Sequence, residues 1–242
     1  MRSKSSKSVL FVSDMHVGSR YAVCSPNPIM GDGSSHNPNQ LQKQLYESWC
    51  WVKDSLSKNP DILVLNGEPC DGSNPKQLGD QSWSTNLNEQ INDALVLLKM
   101  YNPKHFLMTR GSDYHSKAGT YSVEEDVARR IGAKHYAGLV QQESLQDWDS
   151  NRNRINRTDY YLTFSVNGKV FSVTHHIGFN RWFAYRTTAL AREMADMEFL
   201  AGRYWTQEHK PSIIVRSHVH YFVHIRFASQ FGFTTPAWKL PD

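Results

Sequence analysis

At 242 residues, with 27 Lys plus Arg against 23 acids and a formal charge of +4, the chain is long enough for one large domain or two small ones around a substantial core. The charge suits a phosphate-bearing partner but is too small to establish nucleic-acid binding by itself. No run approaches the roughly 18 apolar residues a bilayer span needs, so no membrane partner is expected. The apolar stretch behind the basic start, Met1-Arg2-Ser3-Lys4, is also too short for a signal peptide. Three cysteines, Cys24, Cys50 and Cys70, lack metal-finger spacing, which points to a reducing, cytoplasmic setting.

In chain order, Ser8 to Val12 reads as a buried strand, and Ser13-Asp14-Met15-His16 follows at once. Asp14 and His16, two residues apart past a strand end, leave on one side and can meet one cation. Residues 17–39, rich in Gly, Pro, Ser and Asn, read either as a lid over that site or as a plain surface insertion, with His36 in solvent. Leu41, Leu45, Trp49, Val52 and Leu56 place an amphipathic helix over Gln40 to Ser57, stopped by Asn59-Pro60. The strand Asp61 to Leu65 then delivers Asn66-Gly67-Glu68-Pro69-Cys70-Asp71.

A second helix spans Leu87 to Tyr101, and the strand His105 to Met108 leads to Gly111-Ser112-Asp113-Tyr114-His115. Strand, helix, strand implies a parallel sheet flanked by helices. Ser122 with Glu125 reads as a cap on a helix ending near Gly132, with a strand through Lys134-His135-Tyr136 beyond it. Residues 141–158 form a polar insert whose Arg152, Arg154 and Arg157 either touch phosphates or are simply solvated. Asn167-Gly168 turns a hairpin from Tyr160 to His175, which delivers His175 and His176. From Phe179 to about Gln207 the spacing predicts one long helix with a buried stripe containing Trp182, Phe183, Met194, Met197 and Phe199. Arg181 and Arg186 near its start either reach substrate phosphate or lie in solvent. The strand Ser212 to Val215 ends in His218-Val219-His220, whose two imidazoles leave on the same side. His224 reads as structural, and the closing strands and Trp238 pack across the sheet.

Four apolar runs, each followed at once by metal-type side chains, resemble the calcineurin-like metallophosphoesterases. That family's signature runs Asp-x-His, Gly-Asp-x-x-Asp, Gly-Asn-His-Asp/Glu, a strand-end His, then Gly-His-x-His. The likeness runs from Asp14 to His220; Arg110-Gly111-Ser112-x-x-His115 and Thr235-Pro236-Ala237-Trp238 resemble phage and prophage members of unassigned substrate most. It implies a single domain over 1–242: an α/β four-layer αββα sandwich of two mixed sheets with helices outside. It also implies two divalent metal ions, manganese foremost, with iron or zinc also suited to these ligands. By that pattern Asp14, His16, Glu68 and His220 hold one ion. Glu68, His175, His218 and either Ser112 or Asp113 hold the other. His115, displaced by two positions, takes the catalytic place, and Ser112, His176 and Arg181 stand at the substrate.

The sequence departs from the signature where Glu68 replaces the bridging aspartate, Ser112 the asparagine and Ser217 the glycine. The implied activity is metal-dependent hydrolysis of phosphoesters, diesters of nucleic acid or nucleotide foremost. A phosphomonoesterase and a non-catalytic binding relic of the same fold are the alternatives.

Overall fold

The strand β2 (Ile62–Asn66) is buried along its whole length and sends alternate side chains to opposite faces. Leu63 and Leu65 pack with Trp49, Ile91, Leu95 and Leu98 of two covering helices. Ile62 and Val64 meet Phe164, Phe171, Val173 and Val215 from a second sheet. A strand covered on both faces reads as one continuous apolar run, which is why its sequence shows no alternation.

The computed structural model describes residues 6–73, 78–118, 121–134, 157–204 and 210–240. The first sheet is parallel, in the order β1 (Val9–Val12), β2, β3 (His105–Thr109). It is covered by α1 (Gln40–Asp54) and α2 (Leu87–Lys99). A capping box starts α1: Asn39 accepts from the Gln42 amide at 2.9 Å, and the Gln42 side chain accepts from the Asn39 amide at 3.0 Å. Beyond β3 come α3 (Asp113–Ser116), the short pair β4 (Lys117–Ala118) and β5 (Tyr121–Ser122), and α4 (Val123–Ile131). Ser122 caps α4 as its sequence predicts, and Gly132 ends it at φ 75°.

The second sheet is mixed, in the order β6 (Tyr161–Val166), β7 (Lys169–Thr174), β8 (Ile213–Arg216), β10 (Phe231–Thr234), β9 (His224–Arg226). Its outer face is covered by α5 (Thr188–Tyr204), whose Leu190 and Met194 pack on Ile214 and Val219. Arg216 is buried to 1% exposure and pins that layer, donating to Glu193 at 2.5 Å and to the Ser172 carbonyl at 3.0 Å. Helices, sheet, sheet and helix make four layers, as the sequence reading expects.

Some expectations need correction, and others fall outside the described residues. The helix expected from Phe179 begins only at Thr188. Asn180 accepts from the Trp182 amide at 2.9 Å, and a single 3-10 turn over Phe183–Tyr185 follows, so local bonds replace the helical ladder. The aromatic part of the stripe is therefore not core: Trp182, Phe183 and Phe199 are exposed, while Met194 is buried. The stretch 17–39 is interior over its first half, where Val17, Ser19, Ala22, Val23 and Cys24 are buried. The strand expected through His135 and Tyr136, and Arg152 and Arg154, lie outside the described residues. Arg157 donates to the Ala133 carbonyl at 2.9 Å, tying itself to the end of α4. Among the described residues no helix is long and apolar enough to cross a membrane.

Candidate metal centre

The four motif-bearing strands, β1, β2, β7 and β8, deliver their polar side chains at their carboxyl ends, where open α/β sheets place ligands. The loops clasp one another through backbone bonds. Asp14 N–H donates to the Gly67 carbonyl at 3.2 Å, His16 N–H to the Glu68 carbonyl at 3.1 Å, and Ser217 N–H to the His175 carbonyl at 2.9 Å. Asp14, His16, Glu68, His218 and His220 all have left-handed backbone, with φ between 46° and 71°. Such conformations disfavour L-residues and gather at functional sites, held in place by their surroundings. Gly67 adds the closest approach: at φ 79°, a Cβ there would lie 2.4 Å from His175 Nδ1.

Two groups of side chains result, sharing one residue. Asp14, His16, Glu68 and His220 present ligand atoms within 4.8 Å of one another, and so do Glu68, His175 and His218. Glu68 divides its oxygens between them: Oε2 lies 3.1 Å from His16 Nε2, and Oε1 lies 3.3 Å from His175 Nε2. His220 Nε2 stands 3.4 Å from Asp14 Oδ1 and 3.3 Å from His16 Nε2. The structure thus brings together the side chains that the sequence motifs name, apart from those of the third motif.

That motif is arranged differently. Ser112 turns inward, donating its amide to Glu68 Oε1 at 3.1 Å and its hydroxyl to the same oxygen. Asp113 is exposed at the start of α3 and accepts from the Tyr160 hydroxyl at 3.0 Å, outside both groups. His115 joins a third group with His16 and Asp71. Its Nδ1 lies 2.7 Å from the Asp71 carbonyl, which can only accept, so Nδ1 carries the hydrogen and Nε2 takes no part in that bond. His176 is exposed, its ring 5.0 Å from that of His218, and Arg181 is exposed outside the groups. His36 stacks on Trp83 and stands outside the groups too.

Electrostatics mark the site as one that seeks positive charge. Burial opposes a charge on His16, yet the Asp71 and Glu68 carboxylates overcome it and raise its pKa to about 9. Burial opposes His175 likewise, and Glu68 with Asp14 raises it to about 9. Glu68 and Asp14 are themselves held below the usual carboxylate range against their burial, Glu68 by His16 and His175, Asp14 by His220 and His175. Burial, with His16 beside it, pushes His115 downward. Asp14 Oδ1, His16 Nδ1, His175 Nε2 and His218 Nδ1 are buried without a hydrogen-bond partner. Buried orphan atoms of this kind, on His and carboxylate side chains, fit divalent cations.

Two supporting residues escaped the sequence reading, and a third, Asp71, was given no ligand role in it. Asn66 accepts from Thr109 Oγ1 at 2.5 Å, donates to Ser217 Oγ at 2.6 Å, and its carbonyl receives His175 Nδ1 at 2.7 Å. That last bond leaves His175 Nε2 as the ligand atom. Glu124 is buried, and its Oε1 accepts the amides of Glu68 at 2.9 Å and Gly111 at 2.8 Å. Asp71, already visible in the second motif, lies 3.3 Å from His16 Nδ1 and 3.5 Å from Lys239 Nζ. Only the spacing Glu68-x-x-Asp71 signals any of these locally.

No protein-family model matches this sequence, and no curated protein does. Among solved structures the chain is similar to zinc-complexed Vps29 from Entamoeba histolytica, with a TM-score of 0.40 and 9% identity over 95% of this chain and 73% of the other. It is similar to an archaeal phosphodiesterase, with 0.43 and 9% over 95% and 83%, and to the phosphoesterase Yfce from E. coli, with 0.41 and 11% over 96% and 81%. At such scores the likeness carries no functional argument. The site is read from its own residues.

Proposed function

We propose that this chain is a two-metal phosphoesterase acting by preference on phosphodiesters. The reading rests on one observation above all, the division of the Glu68 carboxylate between a group with Asp14, His16 and His220 and a group with His175 and His218. Two dications a few Å apart repel strongly unless an anion stands between them, and Glu68 is that anion. When bound, such a pair supplies Lewis-acid activation of a phosphoryl oxygen and of an attacking water. The ligand chemistry suits manganese, iron or zinc.

The chain's own groups do the rest. Ser112 and His16 hold the two oxygens of Glu68 in place. Asn66 fixes the ring of His175. His115, anchored on the Asp71 carbonyl, presents Nε2 toward a leaving oxygen, while the exposed His176 and Arg181 would contact the substrate. The preference for a diester, with nucleic acid or nucleotide as its source, is supported by the basic balance of charge. An affinity with phage members rests on the Arg110–His115 and Thr235–Trp238 sequences alone. The inward turn of Ser112, with Asp113 outside both groups, favours a second reading as a metal-binding protein without catalysis.

Glu68→Gln keeps the size of the side chain and removes its charge. Metal analysis of the manganese-loaded variant is expected to find fewer than two ions per chain. Hydrolysis of an aryl phosphodiester is expected to fall on the order of 100-fold or more. Full occupancy and full rate in that variant would sink the bridge. A wild type that binds manganese but cleaves neither aryl diesters nor monoesters would establish the second reading.

A further inference from the structure

The residues between β7 and α5 hold large aromatic side chains in solvent. Phe179 is 61% exposed, Trp182 75%, Phe183 82% and Tyr185 58%. Single exposed apolar residues are ordinary, but a run of them marks a binding surface. This run begins close to the metal centre. It leaves His176 directly, and Phe179 is at most about 11 Å of extended chain beyond it. The Phe179 ring also lies 6.3 Å from that of Tyr221, the residue after His220. Arg186 spans the run, its guanidinium 4.4 Å from the Tyr221 ring centre and 5.5 Å from that of Phe183.

Charge selects the occupant. From Phe179 to Arg192 the sequence contains no Asp or Glu, while Arg181, Arg186 and Arg192 fall within it. A cation-bearing surface studded with upright rings matches a polyanion whose own rings are free to stack, which is single-stranded nucleic acid. A duplex hides its bases, so it offers no rings to stack.

Resting on the phosphoesterase reading, we propose that residues 179–186 form a stacking platform for the bases of single-stranded nucleic acid, which lays the adjoining phosphodiester against the metal centre. Trp182 and Phe183 supply the open ring faces, and Arg181 the phosphate contact. Stacking on one aromatic residue contributes about 1–3 kcal/mol per base, so each ring matters about 5- to 150-fold in affinity.

Binding of a fluorescein-labelled oligothymidylate to the metal-free full chain tests this without any turnover. Trp182→Ala and Phe183→Ala remove exposed rings and leave the core alone. Each is expected to weaken binding at least 5-fold, and an abasic oligomer of equal charge should bind wild type and variants equally weakly. Arg181→Ala is expected to lower the slope of log affinity against log salt by about 0.7. Unchanged oligothymidylate affinity in both ring variants overturns the platform, as does equal binding of the abasic strand by wild type. Wild-type self-association abolished by Trp182→Ala, with no oligomer binding, would make the surface a protein interface and also overturn it. Because binding is measured apart from hydrolysis, inert wild type in the aryl ester assay would defeat the phosphoesterase reading and leave this result standing.

Discussion

Glu124 reaches from α4 under the metal centre and holds two loops with one oxygen. Its Oε1 accepts the amides of Glu68 and Gly111, and burial raises its pKa to about 7. Gly111 has to be glycine for this approach, since a Cβ there would stand 2.5 Å from Glu68 Cγ. Glu124→Ala strands two buried amides and is expected to cost about 2–5 kcal/mol in urea unfolding. Glu124→Gln keeps the accepting oxygen and should cost under about 1 kcal/mol. Equal losses in the two variants would show that charge, not acceptance, is what the loops need. His115 invites a different test. With the hydrogen on Nδ1 and its pKa lowered by burial, it must take up a proton at Nε2 before it can pass one to the leaving oxygen. A positioned proton-transfer group typically contributes about 10²–10⁴-fold. His115→Ala should slow a nucleoside-alkoxide leaving group by roughly that factor while p-nitrophenolate release hardly changes. Loss of metal in that variant would instead make His115 a ligand. At this scale the sequence shows most of the side chains gathered at the candidate centre, because each follows its strand immediately. It hides Asn66 and Glu124, whose partners lie on other elements.

Among the elements, α1 is fixed by one residue. Trp49 is fully buried, donates to the Leu97 carbonyl at 3.2 Å, and packs edge-on against Tyr101 and Trp238. Trp49→Ala is expected to lose about 3–5 kcal/mol in urea unfolding, and Trp49→Phe appreciably less. A loss below about 1 kcal/mol would mean that α1 is held elsewhere. The helix itself was legible because its apolar residues recur every three or four positions. The segment before α5 was not, since exposed aromatics at similar spacing give the same pattern as a core stripe. Periodicity reports which residues share a face, not whether anything covers it.

Across the whole molecule, the chain closes on itself at the metal centre. Trp238 N–H donates to the Asp14 carbonyl at 2.9 Å, and Thr235 Oγ1 lies 2.6 Å from both Ser13 and Ser217 hydroxyls. The four layers followed from alternating strands and helices together with the family likeness. This closure did not, because it joins residues more than two hundred positions apart. The whole-molecule charge balance predicts a proton count. In the metal-free protein His16 and His175 keep their protons below about pH 9, having been raised from 6.5. Cations must displace those protons, so affinity should rise with pH up to about 9 and level off above. Calorimetric titration with manganese at pH 7.5, in buffers of different ionisation enthalpy, is expected to report release of about two protons per chain. No net release would mean that the two imidazoles are already neutral.

The left-handed backbone at Asp14, His16, Glu68, His218 and His220 bears on how such a sequence persists through mutation. Glycine at any of these positions removes an unfavourable conformation worth roughly 1–2 kcal/mol, least at Asp14, since aspartate tolerates it better. Selection for stability alone therefore pushes each position toward glycine and erases its donor atom. Drift without a chemical task would find those changes cheaply, because proteins sit only just above the stability they need. All five positions still carry the side chains that conformation disfavours. Selection for donor atoms against a standing conformational penalty would produce this pattern.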